Sequence, residues 1–140
     1  MKQHILGIDP GTRKIGLAVL RSSDGGIVER SIAEIETLDI EIGRLRNTWS
    51  IELVAMGNGT NRNLIAQVPA LADAHVRLVN EHETSLRARQ LYFSENPPTG
   101  WRRLIPLGLQ VPPVPVDDYA AVIIARRFLS KAVAKDGLEQ

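Results

Sequence analysis

Short apolar runs that end in turn-forming residues alternate with helical patterns along this chain, and their order constrains the fold most strongly. The strand-like runs cover residues 4–9, 15–20, 27–35, 52–56 and 76–79. The helical patterns cover residues 39–49, 61–74, 84–94 and 117–132, and Pro69 is expected to kink or delay the second of them. Three strands joined by tight turns, followed by strand–helix units, predict an α/β fold with a mixed sheet and helices on both faces.

The prolines are concentrated in one segment. Six of the eight lie between residues 97 and 115. Because proline lacks a backbone donor and fixes φ, residues 96–116 are predicted to form a long surface loop rather than a helix or a central strand. Loops of this length are uncommon in compact domains and often have a function. We expect the 140 residues of the chain to form one domain around this proline-rich loop.

Composition excludes several classes of protein. The chain has no cysteine, which rules out a disulfide scaffold, a thiolate metal site and a cysteine nucleophile. It has no apolar run near the roughly 20 residues that a membrane span needs, and its first residues do not resemble a signal peptide. We therefore expect a cytoplasmic protein without a membrane partner. Because the formal net charge is only +1, a nucleic-acid partner must be argued from local charge.

Acidic residues stand where predicted elements end or begin. Asp9 ends the first strand, Glu81 follows the strand at 76–79, and Asp117 and Asp118 begin the last helix. Sites in open α/β sheets form outside the carboxyl ends of parallel strands, which is where Asp9 and Glu81 would lie. Converging carboxylates need a cation to stay ionised, and oxygen ligands without His or Cys suit Mg²⁺ or Mn²⁺. Two such ions can activate water and stabilise the leaving oxygen of a phosphodiester.

Each of these acids also has a purely structural interpretation. Asp9 with Pro10 and Gly11 is typical of a turn, and Glu81 of a solvated strand end. Asp117 and Asp118 are typical of helix caps, and they compete for one role: either could be the main metal ligand, and Asp118 could also be a second ligand or only the cap. The presence of all these acids at the ends of predicted elements favours a metal site more than any one of them does alone.

Three motifs carry a resemblance to a known family. Residues 7–19, GIDPGTRKIGLAV, resemble the opening of the YqgF (RuvX) family of ribonuclease H-like nucleases, which are relatives of the RuvC resolvases. Residues 80–85, NEHETS, resemble that family's acidic strand end, and residues 116–124, VDDYAAVII, resemble its closing helix. Residues 57–60, GNGT, fall where the family has a glycine-bearing loop. The resemblance spans nearly the whole chain, with the motifs in the family's order.

The resemblance implies a ribonuclease H-like fold with a five-stranded mixed sheet. It implies that Asp9, Glu81 and Asp117 are metal-binding catalytic carboxylates. The activity would be metal-dependent cleavage of phosphodiester bonds in structured nucleic acid, since members are described as Holliday junction resolvases and as nucleases that mature precursor small-subunit ribosomal RNA. This chain departs from the family pattern at Asn80, where Asp is usual, and at Glu83, which adds an acid. Both departures bear on the substrate and the second ligand more than on the fold.

Basic residues near these acids predict contacts with the phosphates of a nucleic acid. They are Arg13, Lys14, Arg87, Arg89, Arg102 and Arg103. A solvated helix face is the alternative interpretation of the arginines that follow Glu81. The sequence does not distinguish structured RNA from branched DNA as the partner. A two-fold symmetric junction would favour a homodimer.

Two other functions compete with the nuclease. One is a non-catalytic module of the same fold that binds nucleic acid or the ribosome, which Asn80 permits. The other is an ATP-binding lobe of the actin-like or sugar-kinase type, because those proteins also begin with a strand of the form Gly-Ile-Asp-x-Gly-Thr. Such proteins need two lobes and a second phosphate-binding turn, and these 140 residues contain neither.

Overall fold

The structure, a computed structural model, describes residues 3–59, 61–80, 84–98, 100, 104 and 117–139. The strands in those residues are β1 (His4–Asp9), β2 (Lys14–Arg21), β3 (Ile27–Glu34), β4 (Ile51–Gly57) and β5 (Val76–Val79). The helices are α1 (Leu38–Thr48), α2 (Arg62–Ala66), α3 (Thr84–Glu95) and α4 (Asp117–Glu139), and short 3₁₀ helices lie at Ile35–Thr37 and Pro69–Leu71. None of the helices in the described part of the chain is long and apolar enough to cross a membrane.

The strands form one mixed sheet in the order β3-β2-β1-β4-β5. The hairpin pairs β1–β2 and β2–β3 are antiparallel, whereas β1–β4 and β4–β5 are parallel. The parallel strands β1, β4 and β5 therefore all end at one edge of the sheet, and the Asn58 amide donates to the Val79 carbonyl there, at 3.1 Å. We call this the carboxyl edge.

Helices cover both faces of the sheet. One core cluster packs Leu6, Leu17 and Met56 of the sheet against α1 and α2, which contribute buried residues such as Ile42 and Ile65. The other cluster packs alternate strand residues against α4: Ile5, Ala18, Leu20, Ala55 and Val79 meet Ala121, Val122, Ile124 and Ala125. The alternation follows from the two-residue period of a strand. The predicted α/β architecture is confirmed.

The elements differ most from the predicted spans at two places. The helical pattern at 61–74 is split, because Pro69 has no amide hydrogen and Val68 before it takes extended angles, φ −63° and ψ 142°. Helix α2 therefore ends at Ala66, and a 3₁₀ helix begins at Pro69. The last helix continues past Ala132 to Glu139, in a stretch without proline.

Helix α4 lies close to the sheet because glycines on β1 and β2 leave room for its backbone. A Cβ added at Gly7 would lie 2.2 Å from the Ala121 carbonyl oxygen. A Cβ added at Gly16 would lie 1.8 Å from the Asp117 carbonyl oxygen. Any side chain at either position would push the helix away, so these glycines set the height of α4 above the sheet.

Candidate functional site

The first residue of α4 lies beside the residue that pairs with Asp9. Asp9 is the last residue of β1, and its direct antiparallel partner on β2 is Gly16. The Asp117 backbone sits directly over Gly16, as the close approach of its carbonyl shows. Strand alternation puts Asp9 on the same face as Ile5 and Gly7, which is the face that α4 covers. Two acids 108 positions apart in the sequence thus begin and end elements that meet at one point.

An open cleft of about 670 Å³ adjoins this point. It is lined by Gly11, Thr12, Arg13, Lys14, Glu34, Ile35, Glu36 and Asp117. The predicted metal ligand Asp117 and the predicted phosphate-binding residues Arg13 and Lys14 therefore line the same cavity. Glu34 and Glu36 were not predicted as residues of the site. Glu34 lines the cleft because it is the cross-strand partner of Lys14 in the β2–β3 hairpin.

The turn between β1 and β2 is tied to the loop after β4. The Asn61 side-chain amide donates to the Gly11 carbonyl across 50 positions of sequence, at 2.9 Å. This hydrogen bond fixes the turn that directly follows Asp9. Sequence reasoning missed Asn61, because a polar residue at the start of a helical pattern is more typical of a helix cap. The structure records no side-chain cap hydrogen bond from it.

Two cations of the cleft are available to a ligand. Arg13 and Lys14 are exposed, and among the described residues neither forms an ion pair. Arg62, which follows Asn61 at the start of α2, also lacks an ion pair within the described ranges and is half-buried. Sequence reasoning did not select Arg62, which directly follows Asn61, the residue that contacts Gly11.

Asp118 is engaged in a different set of contacts. Its Oδ2 accepts from Arg30 Nη1 of β3 at 3.3 Å, and the Arg30 guanidinium lies 4.1 Å from the centre of the Tyr119 ring. The Tyr119 hydroxyl donates to Glu95 Oε2 at 2.6 Å. Burial raises the pKa of Asp118 above its ordinary value, Arg30 opposes this shift, and the charge of Asp117 adds to it. The side chain thus has a structural partner, and its role as a second ligand stays a prediction.

Several predicted site residues lie outside the described residues: Glu81, Arg102 and Arg103, together with most of the segment at 96–116. Glu81 directly follows Asn80, which the structure describes next to the carboxyl edge, with its carbonyl accepting from Arg127 of α4. Of the predicted phosphate contacts on α3, Arg87 is exposed and Arg89 half-buried. Within the described residues, which do not include Glu81, no group of three or more acidic or histidine side chains could hold a metal ion.

Solved structures share this architecture over almost the whole chain. RuvC of Thermus thermophilus in complex with a Holliday junction substrate aligns over 96% of this chain and 96% of its own, with a TM-score of 0.58 and 18% identity. The chain has the ribonuclease H-like fold of RuvC. A second RuvC structure from the same organism gives a TM-score of 0.57 at 16% identity over 96% of both chains. No family model and no curated protein matches the chain. The RuvC-like fold confirms the predicted fold class; membership of the YqgF family stays a prediction.

Proposed function

We propose that this protein is a Mg²⁺- or Mn²⁺-dependent endonuclease that cuts phosphodiester bonds in branched or structured nucleic acid. The observation that carries the proposal is the packing of Asp117 over Gly16, the direct partner of Asp9, next to a cleft lined by Arg13 and Lys14, which form no ion pair with any described residue. The RuvC with the same fold is in complex with a Holliday junction substrate. Cleavage of branched DNA and maturation of ribosomal RNA precursors are the two candidate reactions within this proposal.

The proposed ligand atoms are of the chemical type that a hard divalent cation prefers. Asp9 and Asp117 offer carboxylate oxygens, and the chain has no cysteine that would favour a softer metal. Asp9 and Asp117 would hold the ion together with Glu81, the third acid that the family resemblance implies. When bound, a divalent ion lowers the pKa of a water molecule and offsets the charge that develops on the leaving oxygen.

The residues of the cleft supply the contacts that hold a substrate. Arg13 and Lys14 would bind phosphates on either side of the reacting bond, because they are exposed cations that line the same cavity as Asp117. Arg62 is a further candidate for a phosphate contact, because it directly follows Asn61, whose side chain contacts Gly11 of the cleft. The hydrogen bond from Asn61 to Gly11 would hold the turn that connects Asp9 to Arg13 and Lys14.

The test is cleavage of a four-way DNA junction and of a structured precursor ribosomal RNA with Mg²⁺ or Mn²⁺. We expect wild type to cut at least one of them, and Asp9→Asn and Asp117→Asn to lose activity while they remain folded. Asp73→Asn is the matched control, since Asp73 pairs with Arg46 on an exposed surface away from the cleft. Activity of Asp9→Asn equal to wild type would refute the proposal.

Substrate binding is measured separately so that a binding module can be distinguished from an enzyme. Arg13→Gln should weaken binding to every nucleic acid tested and reduce the slope of log K against log salt by about 0.7–0.9, as expected for one lost phosphate contact. Tight binding of a junction or RNA without cleavage by wild type, at any concentration of Mg²⁺ or Mn²⁺, would identify the non-catalytic module instead.

A further inference from the structure

One arginine of the edge strand contacts both helices that flank the proline-rich loop in the sequence. Arg30 of β3 pairs with Asp118 at 3.3 Å and lies 4.0 Å from Glu95 Oε2. Its guanidinium also stacks over the ring of Tyr119, whose hydroxyl donates to the same oxygen of Glu95. We call Arg30, Glu95, Asp118 and Tyr119 the Arg30 cluster. The cluster joins the last residue of α3 to the first turn of α4.

The Arg30 cluster holds the two residues that directly follow Asp117. Arg30 is the cross-strand partner of Ala18, two positions along β2 from Gly16. The first turn of α4 is therefore fixed from two directions: its backbone rests on Gly16, and its side chains are held from β3. Stacking over the Tyr119 ring while two nitrogens face two different carboxylates needs the planar guanidinium, which an ammonium group cannot replace.

We propose that Arg30 is a positioning residue for the metal site, and that it acts by fixing the first turn of α4 so that Asp117 faces Asp9. The proposal rests on the proposed function. It assigns to Arg30 no contact with metal or substrate. Residues that orient metal ligands through hydrogen bonds typically change metal affinity by a factor of 10 to 100 when they are mutated, so the effect should be measurable.

Geometry and charge make opposite predictions for the loss of Arg30. A cation beside Asp118 repels a metal ion, so if Arg30 acted only by its charge, its removal would tighten metal binding and Arg30→Lys would have no effect. If Arg30 acts by position, Arg30→Met and Arg30→Lys both weaken metal binding. The direction of the change therefore separates the two explanations.

The experiment is a titration of the full chain with Mn²⁺ alone, followed by the electron paramagnetic resonance signal of free Mn²⁺. We expect the Kd of Arg30→Met to rise roughly tenfold and that of Arg30→Lys to rise in the same direction by a smaller factor. Arg44→Met is the matched control: Arg44 also bridges two carboxylates, Glu29 and Glu41, but on the face of β3 that packs against α1. Its Kd should stay within about twofold of wild type, because it contacts no residue of the metal site.

Thermal melting of every variant accompanies the titration, because a purely structural role would lower Tm and leave the Kd unchanged. If Arg30→Met does not fold, Arg30→Lys carries the test. Tighter Mn²⁺ binding by Arg30→Met, or wild-type binding by Arg30→Lys, overturns the positioning role while the nuclease proposal stands. Absence of Mn²⁺ binding by wild type overturns both proposals, and this outcome is visible before any variant is measured.

Discussion

Replacing Gly16 with alanine tests the contact that brings the two described acids together. The added methyl carbon would lie 1.8 Å from the Asp117 carbonyl oxygen, whereas ordinary van der Waals contact begins at 3.4 Å. The helix backbone must therefore move by about 1.6 Å, because the clashing atom belongs to the backbone and no side chain can rotate away. A shift of this size at Asp117 displaces a proposed metal ligand relative to Asp9.

The expected change in the free energy of unfolding of Gly16→Ala is the sum of two opposing contributions. Forcing an extra carbon into a well-packed contact typically costs about 1–3 kcal/mol. Replacement of a strand glycine by alanine recovers about 0.5–1 kcal/mol of backbone entropy. We therefore expect Gly16→Ala to lower the free energy of unfolding by about 1–2 kcal/mol and to reduce cleavage by far more than this loss of stability explains, since the protein remains mostly folded.

Gly43→Ala is the matched control, and urea denaturation is the assay for both variants. Gly43 lies in the middle of α1, and an added Cβ would meet nothing within 4 Å. The same substitution there should stabilise the protein by about 0.8–1 kcal/mol, because alanine has the higher helix propensity. If Gly16→Ala proves as stable and as active as wild type, the close packing of α4 on β2 does not position Asp117 and the reasoning is wrong.

Two further predictions concern contacts away from α4. Asn61→Ala should lower the free energy of unfolding by about 0.5–1.5 kcal/mol in urea denaturation and should reduce cleavage, because the Gly11 carbonyl loses its hydrogen-bond donor. Unchanged cleavage would show that the position of the β1–β2 turn does not depend on this hydrogen bond. The hydrogen bond from Arg44 is the main cause that lowers the pKa of Glu29 below its ordinary value of 4.5. Glu29 therefore stabilises the folded state above that value and loses this contribution as the pH falls through its lowered pKa. The stability difference between wild type and Glu29→Gln should accordingly shrink as the pH falls below 4.5, and a constant difference from pH 7 to pH 3 would contradict the argument.

Local sequence signals predicted most of the fold. Strand bounds at β1 and β5 match the apolar runs, because these runs end at a charged or polar residue that cannot continue into the core. Pro69 was expected to interrupt a helix, and the chain does leave the helical conformation just before it. These features depend on neighbours within a few residues, so a single sequence contains the information that they require.

Local sequence signals did not predict the contacts between residues that are far apart in the sequence. Nothing in the local sequence of Arg30 distinguishes it from a solvated strand residue, since its partners lie 65 and 88 positions away, at Glu95 and Asp118. The same holds for Asn61 and Gly11, which are 50 positions apart. Asp118 illustrates the consequence: the sequence left it as a ligand or a cap, whereas its ion pair with Arg30 defines a third role that needs the register of β3 against β2.

The position of the acids depends on the small residues that lie beneath them. Carboxylates at element ends are common, and their spacing in the sequence does not fix the distance between them in the fold. Here that distance depends on the absence of side chains at Gly7 and Gly16, which lets the α4 backbone approach the sheet at Ala121 and at Asp117. A chain with the same acids and with alanine at both glycines would keep every predicted ligand, but its α4 backbone could not approach β1 and β2 as closely, and we expect it to lose the proposed metal site.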